Sequence, residues 1–230
     1  MKIINPKLKI KNVKENITAK ISTKLKNVKN VKFKKPYTDN RFILLSILTS
    51  APITSVFLAY FFSFHSPYGT GVISPLSSFL LAGVFFSLLP GMAILYYSRK
   101  GKVDVELSER ESRTRFYLMA AILQLIAAII FYTFEHKIMF ITSITYAVAT
   151  ILMMLINLKW KISAHASGIA GPVTALYVVY GEIALPLYLL LIPVFALRYK
   201  VKAHTIWQLI AGSVLSIIVT YTIFSLMLSA

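Results

Sequence analysis

The sequence predicts an all-α fold: a polytopic transmembrane helical bundle of about six to seven spans, carrying a basic N-terminal extension. Three observations carry that expectation. Apolar residues fall in blocks near the ~20 residues that cross a bilayer, separated by short polar links. These blocks have few of the polar faces at helical period that a soluble helix would show. All but one of the basic residues, finally, lie in alternate links, which is the pattern of a chain threaded back and forth through a membrane.

Residues 1–41 form the first segment, and 42–230 the transmembrane domain. The first forty residues are polar and lack an early apolar run, so no cleavable signal is expected. Val13, Ile17, Ile21, Leu25 and Val28 step by four, four, four and three, which places them on one helical face among lysines. One reading is an amphipathic helix lying on anionic membrane lipids. The other is a disordered basic tail that only helps to set topology. Nucleic-acid binding is not expected, because no motif supports it and the lysines adjoin a membrane span.

The expected spans are 42–64, 74–97, 116–134, 138–158, 164–181, 183–197 and 205–229. Only Glu135-His136-Lys137 separates the third from the fourth. Gly168, Gly171 and Pro172 in the fifth permit close helix packing or a bend. The sixth is short and carries Pro186 and Pro193, so it should be kinked or extended at its ends.

Charge orients this array. Thirteen Lys and Arg lie in 1–41, six in 99–115, and the remainder on one face are Lys159, Lys161, Arg198, Lys200 and Lys202. Of the 25 basic residues, Lys137 alone falls on the other face. The positive-inside rule therefore expects a multi-pass protein of the cell membrane with its N-terminus and basic links in the cytoplasm. With no cysteine in the chain, disulfides and thiolate metal sites are excluded.

The basic links also hold the residues suited to chemistry. His165 begins the fifth span, His204 opens the seventh, and Arg198 closes the sixth. A phosphate site needs cations, among which Arg has the best-matched donors. It gains from helix N-termini, whose free N–H groups favour anions. Turnover needs a nucleophile and an acid to protonate the leaving alkoxide. Arg198, Arg110, Arg113 and Lys161 supply the cations, and each histidine sits at a helix N-terminus on the same side. His65 and His136 lie on the opposite face and read as interfacial residues. Asp104, Glu106, Glu109 and Glu111 are irregularly spaced and interleaved with Arg, which reads as a solvated loop.

This pattern resembles the type 2 phosphatidic acid phosphatase superfamily, the membrane lipid phosphatases related to vanadium haloperoxidases. That family's third motif is Ser-Arg, five residues, His, three residues, Asp. Here Arg198, His204 and Gln208 keep the spacing, with Leu197 for Ser and Gln208 for Asp. The second motif, Pro-Ser-Gly-His, corresponds to Ile162-Ser163-Ala164-His165. The first, Lys, six residues, Arg-Pro, is not met, and its nearest counterpart runs from Lys102 to Arg110 and Arg113 at shifted spacing. A membrane subgroup carries His-Thr-x-x-Gln-x-x-x-Gly, which His204 to Gly212 resembles. The resemblance covers roughly residues 98–212.

The resemblance implies a phosphatase that uses no metal and no cofactor. By position, His204 would attack phosphorus to form a phosphohistidine and His165 would protonate the leaving group. Gln208 would orient His204, without the charge that Asp supplies. Ser163 and Arg198, with Arg110 or Arg113 and Lys102, would hold the phosphoryl oxygens. The implied substrate is a lipid phosphate or diphosphate, with polyprenyl and glycerolipid phosphates both open. The alternatives are a lipid-phosphate binding or transport protein on the same scaffold, and a phosphotransferase.

If the basic links face inward, a reporter fused at Lys100 reads cytoplasmic and one fused after Ala230 reads external. An external reading at Lys100 reverses the orientation.

Overall fold

The computed structural model describes residues 40–229, with side chains from Leu44 onward. The basic tail and the surface helix expected within it lie outside the described residues. Among the described residues the structure is helical, with no strand. Its elements are α1 Asn40–Leu48, α2 Ala51–Phe64, α3 Pro75–Gly83, a π-turn Val84–Leu88, α4 Leu89–Arg99, α5 Arg110–Thr133, α6 Lys137–Asn157, α7 Ala164–Tyr180, a 3-10 segment Gly181–Leu190, α8 Leu191–Lys200 and α9 Ile206–Ser229. Five stretches are long and apolar enough to cross a bilayer: Pro75–Arg99, Arg110–Thr133, Lys137–Asn157, Ala164–Lys200 and Ile206–Ser229.

Three features depart from the sequence expectation, each for a local reason. The block 42–64 is broken in two at Thr49-Ser50, because Pro52 in the first turn of α2 disfavours helix before it and Ser50 is extended. Helix α5 starts at Arg110 rather than near 116, so the basic run of the expected loop forms its first turns. His136 is fully buried rather than interfacial. It meets the Phe131 ring edge to face at 5.7 Å, and burial pushes its pKa down to about 4. His65 does stay at the surface, within 3.3 Å of the Tyr60 hydroxyl.

The three-residue link between α5 and α6 closes by a helix-ending Schellman turn. Glu135 adopts a left-handed φ of 57°, Glu135 N–H donates to the Tyr132 carbonyl, and His136 N–H donates to that of Phe131. That turn sends α6 back along α5, and the two pack along buried alanines, including Ala121, Ala127, Ala128, Ala147 and Ala149. Small residues allow this close approach where no water drives association. Pro90 is absorbed by the π-turn before it. The Phe86 carbonyl, four residues before Pro90, takes the Ser55 hydroxyl at 3.4 Å.

The stretch Ala164–Lys200 is not one straight helix. Thirty-three residues of continuous helix would separate His165 from Arg198 by about 50 Å, yet both reach the Ser46 hydroxyl. The chain doubles back at Gly181, whose φ of 76° and ψ of −153° end α7. The returning arm runs as a 3-10 segment through Pro186, then as α8 through Pro193. The Thr174 and Tyr188 hydroxyls meet across this hairpin at 2.7 Å. The main apolar core, around Phe62, Phe131, Met139 and Phe224, fills the half of the bundle nearer this turn.

A side chain at Gly181 would meet no neighbour, so Gly181→Ala tests the backbone alone. The region is nearly restricted to glycine, so the substitution should cost roughly 1–3 kcal/mol. A thermal melt in detergent measures it, and an unchanged midpoint would place the reversal elsewhere.

Candidate active site

The site is assembled from helix ends. Helix α8 closes in a Schellman turn: Lys202 takes a left-handed φ of 55°, Lys202 N–H donates to the Tyr199 carbonyl, and Ala203 N–H donates to that of Arg198. His204 N–H donates to the same Arg198 carbonyl at 3.3 Å. The five-residue spacing between Arg198 and His204 is thus one helix-ending turn, which returns the histidine to the arginine.

Helix α9 then opens with a capping box. Thr205 Oγ1 accepts from the Gln208 N–H at 3.4 Å, and Gln208 Oε1 accepts from the Thr205 N–H at 3.2 Å. That backbone donor fixes which end of the amide is oxygen. The same Oε1 lies 3.1 Å from His204 Nδ1. Since Oε1 only accepts, Nδ1 carries the proton and Nε2 keeps its lone pair.

Helix α7 is docked onto this turn. Ser163 N–H donates to the Gln208 carbonyl at 3.2 Å. The Ser163 hydroxyl caps α7 by accepting from the Ala166 N–H at 3.3 Å, and Ser163 is completely buried. The docking depends on Gly212, where a Cβ would fall 2.4 Å from the Ser163 carbonyl oxygen. His165 therefore projects from the first turn of α7 beside the first turn of α9.

Two further segments close the site. The break after α1 turns Ser46 inward, where its hydroxyl accepts from Arg198 Nη1 at 2.9 Å and stands 3.5 Å from His165 Nε2. The 100–109 loop brings in Glu106, whose Oε2 accepts from Arg198 Nη1 at 2.7 Å and whose Oε1 accepts from the Ser46 hydroxyl at 2.6 Å. Arg113 reaches in from α5, donating from Nε to the Leu107 carbonyl at 2.7 Å and from Nη1 to that of Ile162 at 3.2 Å.

These groups stand at one end of a cavity of about 600 Å³. Ser46, Glu106, Arg113, His165 and His204 line that end, while Phe86, Met92, Leu95, Phe116, Met119 and Met153 line much of the rest. Ile47, Leu88, Met92 and Leu95 are both wall and exposed surface, so the cavity reaches the flank of the bundle. A polar, cationic mouth continuous with an apolar body matches a molecule with an anionic head and a hydrocarbon tail.

Burial and the local charge keep His204 neutral. Burial lowers its pKa to about 3, with Arg113, Lys161 and Arg198 adding to the shift. Lys161 is also held below the usual lysine range, by burial first and then by Arg113 and Arg198. Three cations thus converge on a neutral imidazole. Among the described residues, no group of three or more His, Asp and Glu side chains is placed to hold a metal ion.

Comparison with protein-family models, with curated proteins and with solved structures finds no match to this chain. The site is therefore read from its own geometry.

Of the residues singled out in the sequence, His165, His204 and Arg113 line one cavity, Arg198 backs it through Ser46 and Glu106, and Gln208 holds His204. Ser163 stands behind the histidines as a helix cap rather than in the lining. Arg110 turns away: it donates to the carbonyls of Asn157 and Leu158 and pairs with Glu111 at 2.8 Å, because its position on α5 faces the end of α6. Lys102 is exposed and lies over the Tyr97 ring at 5.5 Å, outside the cavity. Glu106 is no solvated loop residue, with 17% of its side chain exposed in its pair with Arg198. Ser46 had no signal of its own, although Ser50-Ala51-Pro52 marks the break that turns it inward.

Gly212→Ala forces a methyl group into the Ser163 peptide, for which overpacking costs about 1–3 kcal/mol. The variant should melt lower than wild type and lose the site's function with it. An unchanged melt would mean that the α7–α9 junction yields freely.

Proposed function

We propose that the chain is an integral membrane phosphatase acting on lipid phosphates or diphosphates, with its site at the cytoplasmic face. One observation carries this reading: His165 from the start of α7 and His204 from the turn before α9 line one cavity with Arg113, at the end where its apolar body begins. Its resemblance to the type 2 phosphatidic acid phosphatases agrees with the same residues. A polyprenyl phosphate would place its chain in the apolar body, and the basic tail would hold the domain on anionic lipids. A binding or transport role on the same scaffold is the second reading. It is favoured by Glu106, a carboxylate already seated on Arg198.

In the reaction, Arg198, Arg113 and Lys161 hold the phosphoryl oxygens and offset the charge that builds in the transition state. Gln208 keeps the proton on Nδ1 of His204, so Nε2 is presented as the nucleophile. Its low pKa means that no proton must first be removed. The Nε2–P bond forms as the P–O bond to the lipid breaks. His165 gives its proton to the departing alkoxide. Water then attacks phosphorus with His165 as base, releasing inorganic phosphate and restoring His204.

Purified protein incubated with a panel of lipid phosphates should release inorganic phosphate, and His204→Ala should abolish release. His165→Ala should slow an alkyl phosphate by about 10²–10⁴-fold while sparing nitrophenyl phosphate, whose leaving group needs little protonation. Full turnover in His204→Ala would rule out this mechanism. Tight lipid-phosphate binding without release in the wild type would favour the binding protein.

A further inference from the structure

We propose that Glu106 is a tethered anion that holds the phosphate position of the empty site and selects doubly charged phosphate monoesters over singly charged diesters. The inference rests on the reading of this cavity end as a phosphate site. Glu106 engages through both carboxylate oxygens, one on Arg198 Nη1 at 2.7 Å and one on the Ser46 hydroxyl at 2.6 Å. Arg198 and Ser46 are joined to each other at 2.9 Å, so the three groups close a ring. A phosphoryl group offers the same arrangement, two oxygens on one centre presented to a cation and a hydroxyl. Ser46 and Glu106 form part of the cavity wall with Arg198 behind them, and His165 Nε2 stands 3.5 Å from the Ser46 hydroxyl.

The loop carrying Glu106 is secured on both sides of it. Val103 is buried at 2% exposure, and the Asp104 carboxylate accepts from the Ser108 N–H at 2.7 Å. Beyond Glu106, Leu107 takes a left-handed φ of 49° and its carbonyl is gripped by Arg113. Between these points Val105 is exposed and the Glu106 side chain retains contact with solvent. Rotation about its own side-chain bonds can therefore move the carboxylate into water while the backbone stays.

The carboxylate and an incoming phosphate compete for Arg198, and in a poorly solvated pocket the two like charges repel. An anion must bring enough charge to displace Glu106. A monoester dianion does so better than a diester monoanion, and most membrane headgroups are diesters. Glu106 thus excludes the abundant lipids that share the bilayer with a scarce terminal phosphate.

The test uses full-length protein in detergent. Inorganic phosphate and dimethyl phosphate are titrated against wild type, Glu106→Gln and Glu106→Ala, with binding read by phosphorus NMR line broadening and folding by circular dichroism. Both variants should bind inorganic phosphate at least about tenfold more tightly. Both should also gain affinity for dimethyl phosphate, which the wild type lacks. Equal or weaker phosphate binding in the folded variants overturns the role, and weaker binding would make Glu106 a support for Arg198. If folded wild type and variants all fail to bind phosphate, the phosphate site itself is wrong and this role falls with it.

Discussion

The Ser163 peptide unit is clasped by the start of α9. Its N–H donates to the Gln208 carbonyl, and its own carbonyl rests against the bare backbone of Gly212. This contact makes two helices that are distant in sequence begin at one point. One histidine lies in the first turn of α7 and the other just before α9, and the two N-terminal dipoles point into the same space. Such a contact cannot be reproduced by longer side chains, because the histidines would retreat from each other by the thickness of whatever was inserted.

Around that junction the structure concentrates positive charge where water is scarce. Arg113 is 6% exposed and Arg198 2%, and both guanidinium groups are secured by carbonyl, hydroxyl or carboxylate oxygens. Fixed cations in a poorly solvated site act strongly on any anion that enters, because little rearrangement remains to be done. Burial first, and then the same field, keep His204 from taking up a proton. One charge arrangement thus favours an anion in the site and a neutral imidazole beside it.

How much of this was legible in the sequence depends on range. The long apolar blocks announced most helices, and the chain reversal at Gly181 fell where two blocks had been separated. The spacing of Arg198, His204 and Gln208 was readable because it is local: a Schellman turn followed by a Thr-x-x-Gln capping box dictates it. Ser46 and Glu106 were not readable as partners of Arg198, because they meet it from 152 and 92 residues away. Charge-rich segments misled in both directions. Arg110 to Arg115 read as loop but continues a helix beyond its apolar stretch, while Glu106 read as solvated but folds back onto a cation. His136 looked interfacial because it lies in the short link on the opposite face, yet the tight α5–α6 turn buries it.

The opening of the cavity at Ile47, Leu88, Met92 and Leu95 changes what concentration means for this protein. A ligand entering through an apolar flank arrives by lateral diffusion and need not leave the hydrocarbon. Occupancy of the site then follows the mole fraction of that lipid among its neighbours, and dilution of the aqueous phase leaves it unchanged. Adding inert lipid or detergent would lower that occupancy at constant total ligand.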